Sequence, residues 1–142
     1  MKILLAVDGS EVSLRATRKL IETVDWFKQA PEVHLVTINP PLPYAGRASY
    51  VLGHSAVEQF YKDQADGALK PSREALDAAN IRYEIHTTVG DVGDEINRIA
   101  DQVQCDLIFM GTRGLSAVAD FVLGSVARKV VHGARVPVLL VH

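Results

Sequence analysis

A single cysteine among 142 residues leaves no partner for an internal disulfide, so the fold has to rest on its core. Cys105 precedes an apolar stretch, where a buried, inert thiol is expected, and a reducing compartment suits it. No apolar run approaches membrane-spanning length, which argues against a membrane partner. The N-terminal run Ile3-Leu4-Leu5-Ala6-Val7 is too short for the apolar region of an export signal and is interrupted by Asp8; a cytoplasmic protein is expected. Excess positive charge is lacking as well. Fifteen Lys and Arg against 17 Asp and Glu give a formal charge of −2, which argues against a nucleic-acid partner. Neither a Gly-x-x-x-x-Gly-Lys-Ser/Thr loop nor a Gly-x-Gly-x-x-Gly run after the first strand occurs, so P-loop NTPase and NAD-dehydrogenase readings fall away. The five histidines, His34, His54, His86, His132 and His142, have no close ligand spacing, and a zinc site is not expected.

What is present is material for one globular domain over residues 1–142. Hydrophobic residues make up 48% and charged residues 23%, and a chain of this length hides roughly 68–70% of its unfolded surface. Five apolar, β-branched stretches read as strands: residues 3–7, 33–38, 81–88, 107–110 and 138–141. Four helical patterns alternate with them. The first carries Leu14, Thr17, Leu20, Ile21, Val24 and Phe27 behind a candidate cap at Ser10. The second is long, with Val57, Phe60, Tyr61, Ala65, Ala68, Ala75, Leu76 and Ala79 on one side and a kink expected near Lys70 from Pro71. The third starts at Gly90-Asp91 and turns Val92, Ile96, Ile99, Ala100 and Val103 inward. The fourth follows Gly124-Ser125, with Val126, Ala127, Val130 and Val131 inward. Arg128, Lys129 and His132 suit its negative end, and Gly133 closes it.

Strands buried on both faces and alternating with helices imply a parallel sheet, because right-handed crossovers lay helices over both sides. The fold class is therefore α/β, a doubly wound domain. Its ligands bind beyond the carboxyl ends of the strands where the strand order reverses, which for order 3-2-1-4-5 lies between strands one and four.

Both strand ends at that point carry chemistry. Strand four runs into Gly111, then Gly114 after two residues, then Gly124-Ser125 after nine more. Glycines let the backbone approach a ligand, and a helix opening at Gly124-Ser125 offers free N–H groups and a positive dipole end to a phosphate. The same glycines are also compatible with plain turns. Strand one ends at Asp8, which can accept ribose hydroxyl hydrogen bonds, help hold a divalent cation, or simply cap the first helix. Arg113 reads as a phosphate fork or a solvated side chain. Ser125 reads as a helix cap or phosphate ligand more readily than as a nucleophile, since no base is placed beside it by spacing.

Four segments together resemble the universal stress protein family over essentially the whole chain. They are Ile3-Leu4-Leu5-Ala6-Val7-Asp8-Gly9-Ser10, Gly90-Asp91, Gly111-Thr112-Arg113-Gly114 through Gly124-Ser125, and Val136-Pro137-Val138-Leu139-Leu140-Val141. The resemblance implies an adenine nucleotide alpha hydrolase-like fold and, in the family's ATP-binding branch, ATP as ligand with Mg2+. Carried over by position, Gly111, Arg113, Gly114, Gly124, Ser125 and Val126 would line the phosphates and ribose, with Ala6, Val7 and Asp8 opposite and Asp8 near the metal. Val36 and Met110 would meet the adenine. The chain departs from many relatives at Leu115-Ser116-Ala117-Val118-Ala119-Asp120-Phe121, where they carry more basic residues. The family pattern also implies a homodimer through the edge strand Val138–Val141 and a regulatory role with protein partners. A nucleotide-free interaction module and a slow ATPase are the alternatives.

Overall fold

Residues 3–6 are buried on both sides because they occupy the middle of a sheet with helices on each face. The computed structural model describes residues 1–43, 50–51, 53–114 and 123–142. Its elements run β1 (Lys2–Ala6), α1 (Glu11–Thr23), a short 3-10 turn (Val24–Trp26), β2 (Glu32–Asn39), α2 (His54–Ala78), β3 (Tyr83–Val89), α3 (Val92–Val103), β4 (Leu107–Gly111), α4 (Ser125–Gly133) and β5 (Val138–Val141). The strands form one sheet in the order β3-β2-β1-β4-β5, all parallel, as the alternation of strands and helices requires. No helix among the described residues is long and apolar enough to cross a membrane.

Register fixes which side chains share a face. Leu5 lies beside Leu35 and Phe109, and Leu4 beside His34 and Ile108. Period-two alternation then sends Ile3, Leu5, Val33, Leu35 and Phe109 toward α1 and α2, where Ala16, Leu20, Leu69 and Leu76 meet them. Leu4, Ala6, Val36, Ile108 and Met110 face α3 and α4, meeting Ile96, Ile99, Ala100, Ala127 and Val130. Cys105 is 5% exposed at the end of this second cluster, and burial pushes its thiol up from the usual value.

Local signals set the helix ends. Ser10 caps α1, its hydroxyl accepting from the Ser13 N–H at 3.1 Å. Asp91 caps α3 in the same way through the Asp94 N–H at 3.1 Å. α2 continues as one helix through Pro71.

Several expectations need correction, among them an inward Val131, which is 46% exposed. The inward face of α2 is Ala65, Leu69, Ser72 and Leu76, whereas Phe60 is 41% exposed. Lys129 does not serve the end of its own helix; it reaches Asp91 at 2.8 Å and Asp94 at 2.7 Å at the start of α3. Arg128 reaches back to the Leu123 carbonyl, leaving His132 as the base in the last turn of α4, and Gly133 is its final residue with Ala134 as cap. The departure segment 115–121 lies outside the described residues. Among the histidines, His34 and His86 are 52 positions apart, yet their ring nitrogens meet at 2.9 Å across β2 and β3. Burial, and then the neighbouring His34 ring, hold the His86 imidazole below its usual range.

Candidate functional site

The carboxyl ends of β1 and β4 adjoin because the two strands are sheet neighbours, and the chain leaves them in different directions. After β1 it turns through Asp8 into α1, with Asp8 Oδ1 accepting from the Ser10 N–H at 3.0 Å. The cap of α1 is therefore Ser10, and Asp8 braces the turn before it with one oxygen. The other oxygen leans on the opposite lip. A β-carbon placed on Gly114 would lie 2.6 Å from Asp8 Oδ2, so a glycine there is what lets the carboxylate and the loop after β4 touch.

Chain leaving β4 returns at Gly124, whose N–H donates to the Thr112 carbonyl at 2.9 Å and so closes the loop on itself. α4 begins there. Gly124 holds the cap position and, lacking a side chain, supplies no cap hydrogen bond to the first turn of α4. Ser125 is the exposed first residue of the helix rather than its cap, which corrects the capping expectation. Arg113 stands beside the loop, with Nη2 3.4 Å from His142 Nε2.

Between these walls is a cavity of about 730 Å3. All eleven residues singled out from the sequence line it: Ala6, Val7 and Asp8 on the β1 side, Val36 on β2, Met110, Gly111, Arg113 and Gly114 on and after β4, and Gly124, Ser125 and Val126 at the start of α4. The Val36 carbonyl already accepts from the Val7 N–H at 2.9 Å, so its backbone is partly spent on the sheet. Sequence reasoning passed over Ser13, Thr37, Asn39, Gln64 and Arg128, which also line the space. Thr37 and Asn39 follow from the rule that such sites lie at strand carboxyl ends. Gln64 and Arg128 arrive from helices and leave no local signal.

The volume falls in the range of about 300–1,000 Å3 usual for small-molecule sites. Among the described lining residues the charged groups are Asp8, Arg113 and Arg128, so the walls carry a net positive charge beside an open helix N-terminus. Apolar Val36, Ile38, Met110 and Ile96 line other parts of the wall. An amphiphilic ligand with a flat apolar part and an anionic part fits that division.

Fold and cavity define a doubly wound α/β protein with a cavity at the reversal of strand order. Comparison with known proteins narrows the class: the universal stress protein family model matches residues 1–142, and the chain belongs to that family. A universal stress protein of Thermus aquaticus is 34% identical over 140 residues, covering 98% of this chain and 96% of its own length. Among solved structures, a universal stress protein in complex with cAMP is 27% identical with a TM-score of 0.69, covering 100% of this chain and 97% of that one. The protein UspA from Lactobacillus plantarum shares the fold at a TM-score of 0.80 and 17% identity, covering 100% of this chain and 97% of its own.

Proposed function

We propose that this chain binds an adenine nucleotide, ATP with Mg2+ foremost, between the Asp8 turn and the Gly111–Gly124 loop, and acts as a nucleotide-dependent regulatory or stress-tolerance protein with little turnover. The observation that carries this reading is the contact between the Asp8 carboxylate and Gly114 at the mouth of the cavity, beside the uncapped start of α4. Loop amides, Arg113 and the helix N-terminus hold phosphate, and Ser125 and Val126 belong to that end. Asp8 accepts from ribose hydroxyls and is the carboxylate available to Mg2+. Val36 and Met110 wall the adenine. The relative bound to cAMP supports an adenine ligand.

Little turnover is part of this proposal, and the described lining supports it. Hydrolysis needs a group that positions water, and Asp8, the one carboxylate among the described lining residues, is assigned here to the ribose and the metal. The working form is a cytoplasmic homodimer joined through Val138–Val141, an edge strand.

Denaturing freshly purified protein and identifying any released nucleotide tests the reading, followed by titration of the emptied chain with ATP, ADP, AMP and cAMP, with and without magnesium. Saturable binding is expected, weakened roughly 10–100-fold by Asp8→Ala, as loss of a hydrogen bond to a charged group implies. No released nucleotide and no saturable binding would instead leave a protein-interaction module. Phosphate release abolished by Asp8→Ala with binding retained would make the chain an ATPase.

A further inference from the structure

At the outer margin of the sheet, beside the Val36 wall of the cavity, β2 and β3 assemble a second constellation of polar side chains. Parallel register sets His34 beside Glu84 and Val36 beside His86, and period two puts Glu32, His34, Glu84 and His86 on one face. His34 Nδ1 lies 2.9 Å from His86 Nε2 and 3.7 Å from Glu84 Oε2. One ligand atom from each of the three falls within 4.8 Å of the others.

We propose that His34, Glu84 and His86 form a binding site for a late first-row divalent cation, Zn2+ by preference. Zinc bonds of about 2.0–2.2 Å in a tetrahedron place ligand atoms roughly 3.3–3.5 Å apart, and the observed separations of 2.9 and 3.7 Å straddle that value. Two imidazoles and one carboxylate leave the fourth position to water, a donor set zinc accepts and magnesium or calcium does not favour.

Tautomer control is already in place. His34 is 3% exposed, and its Nε2 lies 3.1 Å from Glu32 Oε1, which Lys2 Nζ also approaches at 3.8 Å. With the Nε2 proton donated to Glu32, the Nδ1 lone pair of His34 points at the cluster. That is the carboxylate–histidine arrangement that orients metal-bound imidazoles. Without metal, the His86 Nε2–H donates to that lone pair; with metal, His86 takes its other tautomer and both nitrogens ligate. Glu32 is a positioning residue, and Glu84, at 68% side-chain exposure, is free to swing toward the ion.

The test uses the full chain without an affinity tag, stripped of metal and nucleotide, and titrated with Co2+ and then Zn2+. A break at one equivalent is expected, with the intense visible bands of four-coordinate cobalt, displaced by zinc. His86→Gln and Glu84→Gln should abolish the bands, while Glu32→Gln keeps altered bands and weakens zinc roughly 10–100-fold. His54→Gln and Asp8→Asn should leave the titration unchanged, which separates this site from surface histidines and from the nucleotide cavity. Circular dichroism checks folding, and Glu84, being exposed, can be changed without disturbing the core. Six-coordinate cobalt spectra alone, no break at one equivalent, or equal affinity in His86→Gln and Glu84→Gln would overturn the site. The nucleotide reading would stand in each of those cases.

Discussion

Gly111 and Gly114 both stand where a side chain has no room, but the obstacles differ. A β-carbon on Gly111 would lie 2.8 Å from Val12 Cγ1 and 3.2 Å from two backbone atoms, the Val12 carbonyl carbon and the Arg113 oxygen. Main chain on two sides cannot retreat, so Gly111→Ala should cost about 1–3 kcal/mol of stability, read from urea unfolding. On Gly114 the near atom is the mobile end of Asp8, which can rotate away. Gly114→Ala should therefore change stability by under about 1 kcal/mol while weakening nucleotide binding roughly tenfold or more by displacing the carboxylate. Equal destabilisation in both variants with unchanged affinity would make Gly114 a packing residue only. At this scale the sequence was informative where residues sit at strand ends, because strand order alone then gathers them: Asp8 and Gly111 lie 103 positions apart in a chain whose sheet makes their strands neighbours. It was uninformative for His34 and His86, whose encounter depends on the register of β2 and β3 rather than on spacing.

Between elements, two joints carry testable energetics. Thr17 on α1 and Ser72 on α2 are both buried and share a hydrogen bond of 2.8 Å, and the Thr17 hydroxyl also donates to the Ser13 carbonyl at 3.1 Å. Thr17→Val strands the Ser72 hydroxyl without its partner, which should cost about 1–3 kcal/mol. Ser72→Ala added to it should recover part of that loss, since removing both polar groups is cheaper than orphaning one. Urea unfolding of the cycle decides. The α2 face was misread because alanines recur on both sides of the helix and blur the apolar stripe; packing against α1 and β2 picks out Leu69, Ser72 and Leu76. The second joint links α4 to α3. The Lys129 ammonium, and next the Asp94 N–H, hold the Asp91 carboxyl below the ordinary carboxylate range, while Asp91 and Asp94 raise Lys129. A depressed carboxyl contributes stability above its unfolded pKa and loses it as pH falls through the folded one. A raised lysine contributes below its unfolded pKa and loses it as pH rises through the folded one. Lys129→Met should return the Asp91 carboxyl, followed by carbon NMR, to the ordinary range; an unmoved titration would show that the cap alone depresses it.

Taken whole, the molecule is a sheet with two edges, and the edges are not equivalent. The Pro137 and Val141 carbonyls accept from the Ile108 and Thr112 N–H groups, so by alternation Val138 and Leu140 turn their backbone groups outward from β5. On β3 the Gly90 N–H donates to the Asn39 carbonyl, which leaves Thr87 facing out on the other edge. Antiparallel pairing of two β5 strands would satisfy the Val138 and Leu140 groups symmetrically, as an isologous contact requires. The sequence pointed to β5 as an edge because it is last in a 3-2-1-4-5 order, but no residue in it distinguishes a paired edge from a protected one. Proline does distinguish them, since an edge strand tolerates it where the N–H faces outward. Sedimentation equilibrium should give twice the 15.5 kDa of one chain for the unmodified protein. Leu140→Pro should give the single-chain mass with the sheet intact by circular dichroism, whereas Thr87→Pro should leave the dimer in place. The reverse pattern would move the interface to β3, and a single-chain mass for the unmodified protein at every concentration would remove it.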